Sequence, residues 1–200
     1  MEIAARELVM RIRQVRRRLN SLKSNLERFG YEFDNVDYVL PGPEPGTDRI
    51  IKRIEDDVGA LPSCILAFWR EIGSVNFCGH HPNWNGCEYA DPIFVYPPSA
   101  AEAELEDYLI DRERYVHAFG GFRIPVAPDY HGKEDVSGGM WYGIQVPDSR
   151  VDVPLLHERH DTTFLDYLEI ALRWAGFPGV EYADRDHSWP IHELLKDRLR

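Results

Sequence analysis

Residues 5–29 place apolar side chains at alternating spacings of three and four: Ala5, Leu8, Ile12, Val15, Leu19, Leu22, Leu26 and Phe29. This is an a/d heptad seam, and a helix that carries it must lay the stripe against another helix or leave it in water. The positions between are mostly Arg, Asn, Ser and Lys, so the helix is amphipathic, and Gly30 supplies its C-terminal stop. Three uses of such a helix compete: pairing with its counterpart in a homodimer, packing on its own domain, and presenting a basic face to nucleic acid or another anionic surface. Arg16, Arg17 and Arg18 are consecutive and point in different directions around a helix. The seam therefore favours helix packing over phosphate contact, and a homodimer through residues 1–30 is the expectation.

Charge divides the chain at the same place. Residues 1–30 hold eight basic residues against Glu2, Glu7 and Glu27, a balance of +5, and the rest carries 15 basic and 31 acidic residues, a balance of −16. An acidic surface repels phosphate backbones and steers basic partners toward it, so nucleic acid is not an expected partner. With 44% hydrophobic and 12% aromatic residues in 200 positions, the chain has the means to bury a core. No run approaches the ~18 apolar residues of a membrane span, and Met-Glu-Ile-Ala-Ala-Arg lacks the layout of a secretory signal. The expectation is a cytoplasmic protein, with no membrane association, whose Cys64, Cys78 and Cys87 are reduced thiols.

Pro41-Gly42-Pro43-Glu44-Pro45-Gly46 is too irregular for helix or strand. It divides the chain into an arm (1–30), a linker (31–47) and a main domain (48–200). In the domain, Thr47-Asp48 opens a helix with Ile50, Ile51, Ile54 and Val58, closed by Gly59. Ser63 caps a second helix carrying Ile65, Leu66, Phe68, Trp69 and Ile72, stopped by Gly73. Short strands are expected at 75–77 and 93–96, and Ser99 with Glu102 reads as a capping box for a helix through Ile110. Strand-like runs follow at Tyr115–Phe119, Phe122–Val126, Met140–Val146 and Val151–Leu156. Asp161 or Thr162 then caps a helix carrying Phe164, Leu165, Leu168, Ala171, Leu172 and Ala175, and Ser188-Trp189-Pro190 opens a last helix through Leu199. Helices, clustered strands and helices again predict an α+β fold: a mostly antiparallel sheet of about five or six strands flanked by helices, with an N-terminal helical arm. Without strand–helix alternation or a glycine-rich phosphate loop, a doubly wound nucleotide fold is disfavoured.

Four stretches in order resemble the SUKH superfamily, which comprises cell-wall-assembly-regulator-like proteins in fungi and toxin-immunity proteins in bacteria. Ile54-Glu55 through Gly59, Leu61-Pro62, Leu66, Phe68-Trp69 and Gly73 resemble its opening helices. Asp91-Pro92-Ile93 resembles the Asp-Pro-hydrophobic start of a strand. Ile124-Pro125-Val126-Ala127-Pro128-Asp129 resembles its Ile-Pro-Ile-Ala-x-Asp strand, and Phe164-Leu165-Asp166-Tyr167-Leu168 its closing helix. The resemblance spans roughly residues 48–177 and implies an α+β domain, without a cofactor, that binds a toxin or another protein. The arm and the tail after Gly179 fall outside it.

The competing chemistry is metal. Cys78, His80, His81 and Cys87 offer four ligands within ten residues, with Glu88 and Asp91 nearby, and zinc takes thiolate and imidazole tetrahedrally. The spacing lacks the paired C-x₂-C and H-x₃₋₅-H of structural zinc sites. This cluster supports only the alternative function of a metal-dependent hydrolase. His157-Glu158-Arg159-His160 is one residue short of H-E-x-x-H and cannot put both histidines on one helical face. His131 is an imidazole of the kind that acts as a general base, but the sequence places no nucleophile beside it to serve. Trp141, inside a strand, reads as core, whereas Trp84 sits in a polar loop that does not ordinarily bury a large ring. The candidate partner-binding residues are thus Trp84, Asp91, Asp129 and His131. The expected function is non-enzymatic occlusion of a partner protein.

Overall fold

In the computed structural model, which describes residues 2–83, 90–134 and 139–182, the heptad stripe does become one long helix, α1 (Glu2–Phe29). Its partner lies within the same chain. Leu8, Ile12, Val15, Leu19, Leu22 and Leu26 are buried against helices α3 (Ser63–Glu71) and α6 (Phe164–Arg173). The polar flank is stitched to the same helices. Arg13 makes a two-pronged contact with Glu71 at 2.8 and 3.0 Å, and Arg18 donates to Glu169 at 3.1 Å. Arg11 lies 3.6 Å from Glu169. The seam expected to join two copies is occupied inside one, and Arg11, Arg13 and Arg18 face carboxylates of the same chain. The arm is a wall of the core.

The connection after α1 is also packed. Tyr31, Phe33 and Val39 are buried, and Tyr31 Oη donates to the Phe77 carbonyl at 2.9 Å. α2 (Thr47–Val58) buries Ile50, Ile51 and Ile54 and packs on α4 (Pro98–Ile110) and α3. Ser63 does not cap α3. Pro62 is its N-cap, and the amides of Ser63 and Cys64 donate to the carbonyls of Arg150 and Val151 at 3.1 and 2.9 Å. The expected capping box of α4 is likewise rearranged. Ser99 gives its amide and hydroxyl to the Glu44 carboxylate at 3.1 and 2.8 Å, while Glu102 receives Arg49 and Arg53. Thr163, one or two residues past the expected caps, holds the start of α6 through its Oγ1 and the Asp166 amide at 3.4 Å.

The sheet is smaller than expected. Among the described residues the strands form three two-stranded antiparallel ladders in place of one sheet of five or six strands. β1 (Glu32–Phe33) pairs with β3 (Gly79–His80), β2 (Val75–Asn76) with β4 (Phe94–Val95), and β5 (Arg123–Ala127) with β6 (Tyr142–Gln145). Proline limits their length: Pro92 and Pro97 bracket β4 and cannot donate to a ladder. A single bond from the Tyr96 amide to the Val126 carbonyl, 2.7 Å, links β4 to β5, and Gly143 and Leu156 exchange two bonds beside β6. The predicted strand at Tyr115–Phe119 is instead helical: α5 (Arg112–Phe119) is capped by Asp111 and closed by Gly120 at φ 76°. The α+β class stands, and no described helix is long and apolar enough to cross a membrane. The helix expected at 188–199 lies outside the described residues.

Candidate functional site

Of the three described residues among the sequence candidates, Asp91 is placed least like an interface residue. Its side chain is fully buried in an ion pair with the equally buried Lys133, and Tyr142 Oη donates to its other oxygen at 3.0 Å. The Lys133 ammonium also lies 5.0 Å from the Tyr142 ring centre. Burial opposes the lysine's charge, but Asp91 outweighs it and raises the Lys133 pKa above its ordinary value. Burial, then Asp91, drive the Tyr142 phenol well above its usual range, so it stays a donor. Asp91 adopts φ 49°, a left-handed conformation that Asp tolerates better than most residues. Its role is internal.

Asp129 accepts the Gly132 amide at 2.9 Å, and that bond bends the loop that brings Lys133 inward. His131 stacks on Tyr130 with ring centres 3.9 Å apart. Both are half-buried. Trp84 lies outside the described residues, so three of the four candidates are located and only Asp91 enters a polar cluster.

The cysteine–histidine group does not converge. Cys78 is buried, and burial pushes its thiol up to about 12. His80 projects outward beside Glu32. His81 uses both ring nitrogens: Nδ1 accepts the Asn83 amide at 3.1 Å, and Nε2 donates to the Phe29 carbonyl at 3.1 Å. With no free lone pair, this imidazole is no metal ligand as placed. Cys87 lies outside the described residues, among which no three His, Cys, Asp or Glu side chains gather around a common point.

His157 and His160 are separated by the turn between them. His157, at φ 66°, accepts from Arg123 Nη1 at 2.8 Å. His160 Nδ1 meets Glu158 at 2.6 Å, and its Nε2 lies 3.3 Å from Glu181. Burial disfavours the imidazolium, but the Glu158 hydrogen bond and the charges of Glu158 and Glu181 raise its pKa above the ordinary histidine value. His160 acts as a clasp. It ties the 3-10 segment Pro178–Tyr182 to the turn before α6, aided by Tyr182 Oη donating to the Arg159 carbonyl at 2.8 Å.

A groove among the described residues was not among the sequence candidates. The proline-rich segment, read as a linker, forms one wall of a groove of ≈ 400 Å³, with β2 as floor and β4 with Pro97 opposite. Tyr38, Pro41, Pro43, Phe94 and Tyr96 line it, and Tyr38 is 62% exposed. The Phe94 and Tyr96 rings meet edge to face at 4.8 Å. Both ends of the proline wall are anchored. A Cβ on Gly73 would come within 2.0 Å of the Gly42 carbonyl oxygen, so the chains touch there, and Glu44 caps α4. The sequence signal was present as two tyrosines beside prolines, but their meeting depends on β2 pairing with β4. Rigid aromatic and proline side chains with little free backbone suit a docking surface better than a reaction centre. No family model, curated protein or solved structure matches the chain.

Proposed function

We propose that this chain is a cytoplasmic, non-enzymatic protein-binding domain of SUKH-like character, acting as a toxin-immunity protein or regulatory adaptor by occluding a basic surface of its partner. The groove carries this reading. An exposed tyrosine set among prolines and aromatic rings offers large contact area at little cost in side-chain entropy. The occupant that fits is an extended, basic segment of another protein. The chain beyond residue 30 bears a balance of −16, and Asp37 is exposed beside Tyr38. Three side chains capable of acid–base chemistry are engaged otherwise: Lys133 with Asp91, His160 with Glu158, and His81 with two backbone groups.

A photo-crosslinking amino acid at position 38, in cells of the source organism, should yield an adduct with one basic protein. The same probe at Ser21, on the outer face of α1, should not. Tyr38→Ala should weaken binding of that protein by about tenfold or more while leaving the thermal melt within about 0.5 kcal/mol. Equal labelling at both positions would remove the groove as the docking site. Relief of growth arrest caused by a neighbouring gene's product, lost in Tyr38→Ala, would identify immunity as the biological form of the binding.

A further inference from the structure

Arg123 opens β5 on the face opposite the core-facing Ile124 and Val126, yet it is only 8% exposed. Its stem lies over Gly143 of β6. A Cβ there would come within 2.7 Å of Arg123 Cδ and 2.4 Å of Trp141 Cζ3, so glycine leaves the space both side chains fill. The guanidinium carbon is 4.9 Å from the Phe119 ring centre and 5.8 Å from that of Trp141. Nη1 donates to His157 Nε2 at 2.8 Å, and Nε is buried without a hydrogen-bond partner. No carboxylate among the described residues pairs with it, although the chain holds 34 acidic residues. Lys133, the other buried cation among the described residues, has its own aspartate.

A charged donor left unmatched under aromatic rings is a standing penalty in the free protein, and buried polar groups ordinarily find partners. The two rings against it, Phe119 and Trp141, are half-buried, and Val116, one helical turn before Phe119, is 55% exposed. A guanidinium set against Trp and Phe rings has the composition of an interface hot spot. The Nε edge of a guanidinium is also the edge that grips a carboxylate with two parallel bonds.

We propose that Arg123 anchors a second recognition site, which takes an aspartate or glutamate side chain of a partner protein while the Phe119 and Trp141 rings cover the apolar surface beside it. The carboxylate supplies the missing acceptor, and the rim rings shift to admit it and then exclude water from the pair. This site does not rest on the groove, and its test needs no knowledge of the natural partner.

The probe is acetyl-Leu-Glu-amide, with acetyl-Leu-Gln-amide as its neutral counterpart, titrated into the full chain and read by the Arg123 Nε–H and Trp141 indole N–H resonances. The glutamate peptide should shift both saturably, and the glutamine peptide should not. Arg123→Gln should abolish the response. Because that side chain is buried and its loss could disturb the fold, Val116→Glu provides the second variant: a carboxylate on the exposed rim should compete for the guanidinium and weaken the peptide at least tenfold. Equal shifts from the two peptides, no shift from either, or an undiminished response in Val116→Glu would each overturn the assignment.

Discussion

Lys133→Met is the substitution whose consequence is most sharply set by the structure. Methionine matches the length of the lysine stem, so packing is largely kept, but the Asp91 carboxylate is left buried with only the Tyr142 hydroxyl donating to it. Removing one member of a buried ion pair costs about 3–5 kcal/mol, mostly from the stranded charge. With a urea m-value of about 2–3 kcal/mol/M, the unfolding midpoint should fall by about 1–2 M at unchanged slope. Adding Asp91→Asn removes the stranded charge, and asparagine tolerates the left-handed backbone at φ 49°. The double variant should therefore regain about 1–3 kcal/mol over Lys133→Met alone. Urea denaturation followed by circular dichroism for the wild type, both single variants and the double variant closes the cycle. A Lys133→Met midpoint within about 0.3 M of wild type, or a double variant no more stable than Lys133→Met, would refute the argument that this pair is an internal fastening.

Three further outcomes are expected. Leu19 is fully buried in the α1 seam, so Leu19→Ala should cost about 2–5 kcal/mol, and deletion of residues 1–29 should abolish cooperative melting; a truncated chain that melts like the full one would make α1 a detachable arm. His160 has a raised folded pKa, so its share of stability is complete below the ordinary value of 6.5 and is lost as pH rises through the folded value. His157, lowered by burial and by Arg123, works in the opposite sense and loses its share as pH falls below 6.5. Relative to wild type, His160→Gln should flatten the loss of stability on the alkaline side and leave the acid side, checked by thermal melts across pH; an unchanged alkaline limb would contradict the clasp.

The helices were legible where local chemistry sufficed. α2, α3 and α6 follow from apolar spacing and from the glycines that close them, Gly59, Gly73 and Gly176. α5 was misread because Tyr115, Val116 and Phe119 have strand preferences, and only Tyr115 of the helix is buried. Its Asp111 cap and Gly120 stop were visible but weaker signals. The Ser99–Glu102 box was a plausible local solution displaced by Glu44, whose approach depends on tertiary packing. The Asp91–Lys133 pair was hidden for the same reason: 42 residues separate its members, and a lysine in a glycine-rich loop reads as solvated. Arg123 fell inside a strand correctly expected, but the Phe119 and Trp141 roof over it required α5 to be a helix. Trp84 and Cys87 lie outside the described residues, and the groove arises only when β2 and β4 pair.

The Glu44 carboxylate that receives Ser99 has a consequence for recognition. Ordering a free backbone costs roughly 1–2 kcal/mol per residue, and a loop that first stiffens on contact spends that from the affinity. Here the prolines restrict the segment from within, Glu44 pins it to the amino end of a neighbouring helix, and Gly73 presses against it from beneath. An incoming chain meets a finished mould, and replacing Glu44, which both lines the groove and holds Ser99, would loosen that mould.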